Sequence, residues 1–205
     1  MERTGRIFRF LESQHLDCLV TNEENTIRYL TGFTGTDSIL YADDNKAVLI
    51  TDGRYIFQAR QEVRYCQVKE YLAENAESIW QAVVEEIGTA PKVAFDRTSF
   101  LYDEIETLKR LLGAGHELIP VELRSLRMVK DESELKSLWQ AFKISDEAFN
   151  RVLAELKPGM TEKELAAHLE YYMRSLGSEK VSFDTIVASG YRSALLHGMP
   201  TDKVL

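Results

Sequence analysis

Between Arg6 and Val121 the apolar positions keep changing period, from helical spacing to short continuous runs and back. Such switching predicts alternating helices and buried strands, hence a mixed α/β domain. Ile7, Phe8 and Leu11 mark one face of a first helix, and residues 17–21 (DCLVT) form a buried strand. Residues 25–35 (NTIRYLTGFTG) fit a loop or a short turn of helix that ends in glycines. Residues 38–41 and 46–51 are β-prone runs separated by Ala42-Asp43-Asp44-Asn45. Asp and Asn side chains favour tight turns, so the pair is expected to form a hairpin. Ile56, Ala59 and Val63 recur at helical spacing before a strand pattern resumes over residues 68–72. Asn75 is placed to cap a helix bearing Ile79, Val83 and Ile87, which Gly88 and Pro91 end. Residues 92–95 make a strand, Thr98 or Ser99 caps a helix with Leu101, Ile105, Leu108 and Leu112 on one face, and residues 118–121 close the domain as a strand.

The character of the chain changes over residues 123–131, from short alternating elements to long helices, so a domain boundary is expected after residue 123. Asp131 followed by Glu134 has the spacing of a capping box, in which two side chains satisfy otherwise unpaired helix donors. Leu135, Leu138, Phe142, Phe149, Val152 and Leu156 then repeat on one helical face until Pro158-Gly159. Thr161 and Glu164 form a second such box, opening a helix with Leu165, Leu169, Tyr172 and Leu176 on one side. Residues 181–188 alternate loosely and predict a strand.

Composition narrows the functional classes. A net charge of −8 over 205 residues, with no cluster of basic residues, repels phosphate backbones and anionic lipid, so no nucleic-acid or membrane partner is expected. The first ten residues carry Glu2, Arg3, Arg6 and Arg9, which interrupt any signal-peptide core, and a cytoplasmic location is the expectation. Cys18 and Cys66 lack metal-ligand or redox spacing and are expected as buried free thiols.

Most candidate chemistry has a plain structural explanation. Gly32 and Gly35 precede a strand rather than a phosphate-binding helix, and are expected only to permit turns. Glu164 and His168 sit four apart on a helix, but two ligands without a third rarely hold a metal. His15 and His116 lie near element ends among polar neighbours. His197 differs, because Gly190, Gly198 and Pro200 let the backbone around it turn tightly and approach a ligand. An imidazole there exchanges protons near neutral pH.

Around that histidine, Phe183-Asp184-Thr185-Ile186-Val187-Ala188-Ser189-Gly190 followed by Arg192-Ser193-Ala194-Leu195-Leu196-His197-Gly198 is similar to a segment of the creatinase-type metallopeptidases. Their prolidases and aminopeptidases P carry a substrate-contacting histidine there. Three further stretches agree in order: Arg28-Tyr29-Leu30-Thr31-Gly32-Phe33-Thr34-Gly35, Thr51-Asp52-Gly53-Arg54-Tyr55, and Leu126-Arg127-Met128-Val129-Lys130 leading into the Glu134 helix. Leu196 departs from the family, whose members commonly have proline before the histidine.

The resemblance implies a creatinase-type N-terminal domain over residues 1–123, a mixed sheet with flanking helices. Residues 124–205 would begin a pita-bread α+β catalytic domain. It implies hydrolysis of Xaa-Pro peptide bonds in a complete enzyme, a proline-containing peptide substrate and a homodimer. His197 would contact the substrate, while Arg54 and Tyr55 organise the N-terminal domain or an interface. It also implies two divalent cations, such as Mn, Co or Zn, held by two Asp, one His and two Glu that follow the histidine segment. Neither Asp184 nor Asp202 corresponds to these ligands, so no cofactor is expected in this chain, and without the metal-activated water the chain alone is expected to be inactive. A non-catalytic creatinase-like binding or dimerisation module is the alternative, and a fragment or frameshifted form of a full peptidase is another. After dialysis the purified chain is expected to retain no stoichiometric manganese, cobalt or zinc by elemental analysis; bound metal together with Xaa-Pro cleavage would contradict this.

Overall fold

The structure, a computed structural model, describes residues 3–205 and divides into two compact units that meet between Val129 and Lys130. This division falls a short turn beyond the boundary expected near residue 123, because the 3₁₀ turn Arg124–Arg127 is tied to the first unit. Arg6 donates to the Leu126 carbonyl at 3.1 Å, Arg127 pairs with Glu23 at 3.0 Å, and Leu123 is fully buried.

The first unit runs α1 (Thr4–Gln14), β1 (Cys18–Thr21), α2 (Glu24–Thr31), β2 (Ser38–Asp43), β3 (Ala47–Thr51), α3 (Ile56–Glu62), β4 (Gln67–Glu70), α4 (Ser78–Ile87), β5 (Lys92–Asp96), α5 (Tyr102–Leu112) and β6 (Glu117–Val121). The six strands form one sheet in the order β4-β3-β2-β1-β5-β6. β2 is antiparallel to both β1 and β3, and the other pairings are parallel. A strand flanked by helices on both faces must be apolar at odd and even positions alike. The central strands meet that condition: Leu19, Leu40 and Leu49 join Ile7, Leu11, Ile27 and Leu30 on one face. Val20, Ile39, Tyr41 and Ile50 join Trp80, Val83 and Leu108 on the other.

Local signals set most element ends. The Asp43 side chain accepts from the Asn45 and Lys46 amides at 2.8 Å each, closing the hairpin between β2 and β3. Glu23 caps α2 by accepting from the Asn25 and Thr26 amides, so of the two forms expected over residues 25–35, loop or short turn of helix, the chain takes the helix as far as Thr31. Gly35 is required by close approach, not only by a turn: a Cβ there would collide with the Phe33 ring and lie 2.8 Å from Tyr55 Cδ1. Two caps differ from expectation. Thr98 is drawn to Asp96 by its amide and hydroxyl, so α5 starts three residues after Ser99, with Glu104 accepting from the Leu101 amide at 2.8 Å. Leu101 consequently lies outside the core, 70% exposed, while Leu108 is fully buried. Asn75 accepts from the Glu77 amide, turning the chain just before α4 instead of capping it directly. Both thiols are free; Cys18 is buried and Cys66 half-buried, and burial pushes them up to about 12 and about 11.

In the second unit, α6 (Glu132–Glu155) and α7 (Glu162–Ser175) both open with the capping boxes that the sequence predicts. Asp131 accepts from the Ser133 and Glu134 amides while Glu134 accepts from the Asp131 amide, an arrangement that stabilises a helix start by about 1 kcal/mol. α7 covers only a narrow seam of α6, so Ala148 and Val152 are buried while Phe142 and Phe149 remain 63% and 54% exposed. The strand expected over residues 181–188 carries no ladder. A strand needs a hydrogen-bonded neighbour, and among the described residues of this unit the sole β-pairing is an isolated bridge between Thr161 and Val204. Part of the segment instead lines an apolar hollow of about 440 Å³ with Phe149, Leu169 and Met173. In a dilute solution of the chain, amides of residues 181–188 are expected to exchange far faster than those of Cys18–Thr21 and Ala47–Thr51. Equal protection in the two regions would show that the segment has found a pairing partner.

Candidate active-site loop of the second unit

The start of α7 is an unusual helix N-terminus because another part of the chain satisfies its first amides. The Glu162 amide donates to the Lys203 carbonyl at 3.0 Å and the Lys163 amide to the Thr201 carbonyl at 3.2 Å. The Leu205 amide donates to the Met160 carbonyl at 2.8 Å, which completes a short antiparallel seam. First-turn amides have no partner inside their own helix, so this seam takes donors that would otherwise be left to water.

The side chain of Glu162 is completely buried at this point. One oxygen accepts from the Ser189 amide at 2.8 Å and the Ser189 hydroxyl at 3.0 Å. The other accepts from the Thr201 amide at 3.1 Å and the Thr201 hydroxyl at 2.7 Å. Arg192 Nε spans both oxygens at 3.3 and 3.1 Å, and its Nη2 donates to the Met199 carbonyl at 2.7 Å. Lys203 Nζ adds a bond to the Ser189 hydroxyl at 2.6 Å. Burial by itself raises a carboxyl pKa, but the donors from Thr201 and Ser189 outweigh it and hold Glu162 down to about 2. A helix N-terminus favours the same negative charge.

His197 lies between these two sets of anchors. The 3₁₀ turn Gly190–Ala194 leads away from Ser189, and the chain returns through Gly198 and Met199 to Thr201. His197 is exposed, and among the described residues its ring makes no hydrogen bond, so both nitrogens are left for other partners. The next residue, Gly198, is buried, and a Cβ there would stand 2.9 Å from Ala188 Cβ and 3.3 Å from Leu195 Cβ. Leu196, just before His197, is 88% exposed.

The remaining candidates have structural partners. Glu164 accepts from the Thr161 amide at 2.8 Å, whereas His168 pairs with Glu155 at 2.8 Å, so the two do not converge on one point. Asp202 pairs with Lys163 at 2.9 Å, and Asp184 is exposed. Among the described residues no group of three or more His, Cys, Asp or Glu side chains is placed to hold a metal ion. The described residues therefore supply no donor set that by itself fits a divalent metal ion. In the first unit, Arg54 bonds Asp52 and Asp37, while the Tyr55 hydroxyl meets Thr36 at 2.9 Å and its ring lies edge-on to Phe33. The hydrogen bonds from Arg54 hold the Asp52 carboxyl below its usual range. These two residues thus brace the loops that precede β2 and α3. His116 Nδ1 is tied to the Ala90 carbonyl at 2.8 Å, and His15 is an exposed residue ending α1.

Glu162 was invisible to sequence reasoning. Beside a capping box it reads as an ordinary first-turn acid, since its partners lie 27 to 39 residues downstream.

A six-stranded α/β unit followed by a helical pair with an anchored histidine loop defines the class, and comparison with known proteins defines the family. Residues 3–129 match the creatinase/prolidase N-terminal domain, and residues 136–205 match metallopeptidase family M24. The chain belongs to this creatinase/M24 family. It is 36% identical over 93% of its length to the peptidase YqhT of Bacillus subtilis, and 28% identical over 98% to an Xaa-Pro dipeptidase of Pyrococcus horikoshii. It spans about half the length of these curated relatives, 54% and 56% respectively. The solved Xaa-Pro dipeptidase from Bacillus anthracis superposes over 100% of this chain and 57% of its own, with a TM-score of 0.89 at 32% identity. The X-Pro aminopeptidase from Thermotoga maritima superposes over 100% and 58%, with a TM-score of 0.86 at 34% identity.

The lowered pKa of Glu162 has a definite sign for stability. Its folded value lies below the ordinary carboxylate range, so its contribution is complete above about pH 4.5 and is lost as pH falls toward about 2. Carboxyl-carbon NMR titration is expected to find Glu162 still ionised at pH values where exposed glutamates are half protonated. A midpoint in the ordinary range would contradict the buried, donor-filled environment.

Proposed function

We propose that this chain is the N-terminal portion of an Xaa-Pro metallopeptidase, which hydrolyses the peptide bond preceding proline, and that His197 contacts the peptide there. The observation that carries this reading is the histidine loop itself. Its two ends are fastened to one buried carboxylate, while the imidazole between them is left exposed and without an internal partner. An imidazole held in that way can donate to oxygen on which negative charge develops, an effect worth on the order of 2 to 4 kcal/mol for one donor. The relatives that superpose along the whole chain are named Xaa-Pro dipeptidase and X-Pro aminopeptidase, which supports this reaction class.

On this reading the cations, for which manganese, cobalt and zinc are the candidates, are held by residues outside this chain. The chain contributes the N-terminal domain and the substrate-contacting histidine. A homodimer and a cytoplasmic location belong to the same proposal; no helix among the described residues is long and apolar enough to cross a membrane.

The test joins these 205 residues to the C-terminal portion of the Bacillus anthracis dipeptidase. In that protein His197→Ala is expected to lower kcat on Xaa-Pro dipeptides by roughly 10² to 10³-fold, with metal content unchanged. Activity that survives the substitution would remove His197 from the reaction, and metal lost along with activity would make it a ligand instead.

A further inference from the structure

We infer that Glu162 is the positioning residue of the histidine loop: one buried carboxylate fixes both ends of the segment that presents His197, and so determines where that imidazole can reach. The inference rests on the proposed role of His197 for its catalytic meaning, but not for its structural content.

The two ends of the loop converge on a single functional group. Upstream of His197, Ser189 contributes its amide and hydroxyl to one carboxylate oxygen. Downstream, Thr201 contributes its amide and hydroxyl to the other. Arg192 links the halves, since its Nε bonds the carboxylate while its Nη2 bonds the carbonyl of Met199. The eleven residues between Ser189 and Thr201 are thereby closed into a ring whose knot is Glu162. A carboxylate offers about four lone-pair directions, and here five donor groups converge on them, so no water is needed to complete the set.

Charge and shape both demand glutamate at this position. The Ser189 and Thr201 amides and Arg192 Nε can only donate to the two oxygens, so an amide nitrogen in place of either oxygen would face fixed N–H groups. Asp at 162 would withdraw the carboxylate by one methylene from partners at 2.7 to 3.3 Å. Arg192 is itself only 18% exposed, so removal of its counter-charge leaves a largely buried guanidinium with half of its partners. Within the loop, buried Gly198 leaves no slack, because even one added carbon would collide with Ala188. The family likeness of the His197 segment does not name this residue, which lies on a different element and is joined to the loop only by the fold.

The experiment uses the chain as it stands, with backbone ¹⁵N relaxation as the readout. In the unaltered chain, residues 189–201 are expected to be ordered on the picosecond to nanosecond scale, with order parameters near 0.85 as in rigid backbone. Glu162→Gln is expected to bring residues 195–199 below about 0.6, the flexible range, while residues around His15, His116 and His168 keep their values. Thr201→Val removes one donor without touching the carboxylate and is expected to loosen the same residues to a smaller degree, whereas Thr201→Ser retains the hydroxyl and is expected to behave as the unaltered chain. If Glu162→Gln fails to fold, the Thr201 pair carries the test. Unchanged order at residues 195–199 in Glu162→Gln, or equal behaviour of Thr201→Val and Thr201→Ser, would overturn the proposal.

In the joined protein, Glu162→Gln is expected to lower kcat with metal content and KM held, because the imidazole is displaced without loss of substrate-binding surface. A defect confined to KM would overturn the positioning role. If His197→Ala proves silent while the loop still loosens in Glu162→Gln, the assigned role of His197 fails and the anchoring by Glu162 stands.

Discussion

A carboxylate removed from solvent must be surrounded by donors, and in the second unit that requirement at Glu162 dictates the local architecture. Satisfying its two oxygens draws Ser189, Arg192 and Thr201 from separate stretches of chain onto the first turn of α7. The seam between residues 160–163 and 201–205 follows, because the amides of that same first turn need acceptors. His197 takes its outward place as a consequence: the chain between the anchors has to leave the buried cluster and return to it, and the histidine occupies the exposed part of that excursion.

The first unit depends on a different constraint. Its central strands are covered on both faces, so side chains at odd and even positions must be apolar, and β1, β2 and β3 are accordingly buried along nearly their whole length. Polar side chains near the core then act through defined partners. Asp52 holds Arg54, Asp43 holds the hairpin turn, and Glu23 caps α2 while also pairing with Arg127. That last pair makes the turn after Leu123 part of the first unit, although the change in helical pattern suggests a boundary at Leu123 itself.

The second unit shows how unevenly burial follows from amphipathicity. Leu135, Phe142, Phe149 and Leu156 share a helical face with Val152, yet Val152 is buried and the others are substantially exposed. A periodic apolar face states where a helix would bury area, and only the neighbours that are present determine how much of it is buried. Residues 181–188 present the same relation for backbone groups. Their alternation suits a strand, but a strand is a property of a pair.

The sequence alone determined whatever depends on contacts a few residues apart. Both capping boxes, the Asp43 turn, the glycine and proline stops and the two-sided apolar runs are local, and each specifies its element directly. The motif around His197 singled out that residue because its glycines and imidazole are contiguous in the chain. Tertiary structure decided what depends on distant partners. Thr98 went to Asp96 and shifted the start of α5, Gly35 proved necessary because Phe33 and Tyr55 close over it, and Glu162 became a buried anchor through donors 27 to 39 residues away. The physical reason is the range of each signal: a capping box or turn is complete within four residues, whereas the desolvation of a carboxylate is settled only by the groups that the fold brings around it.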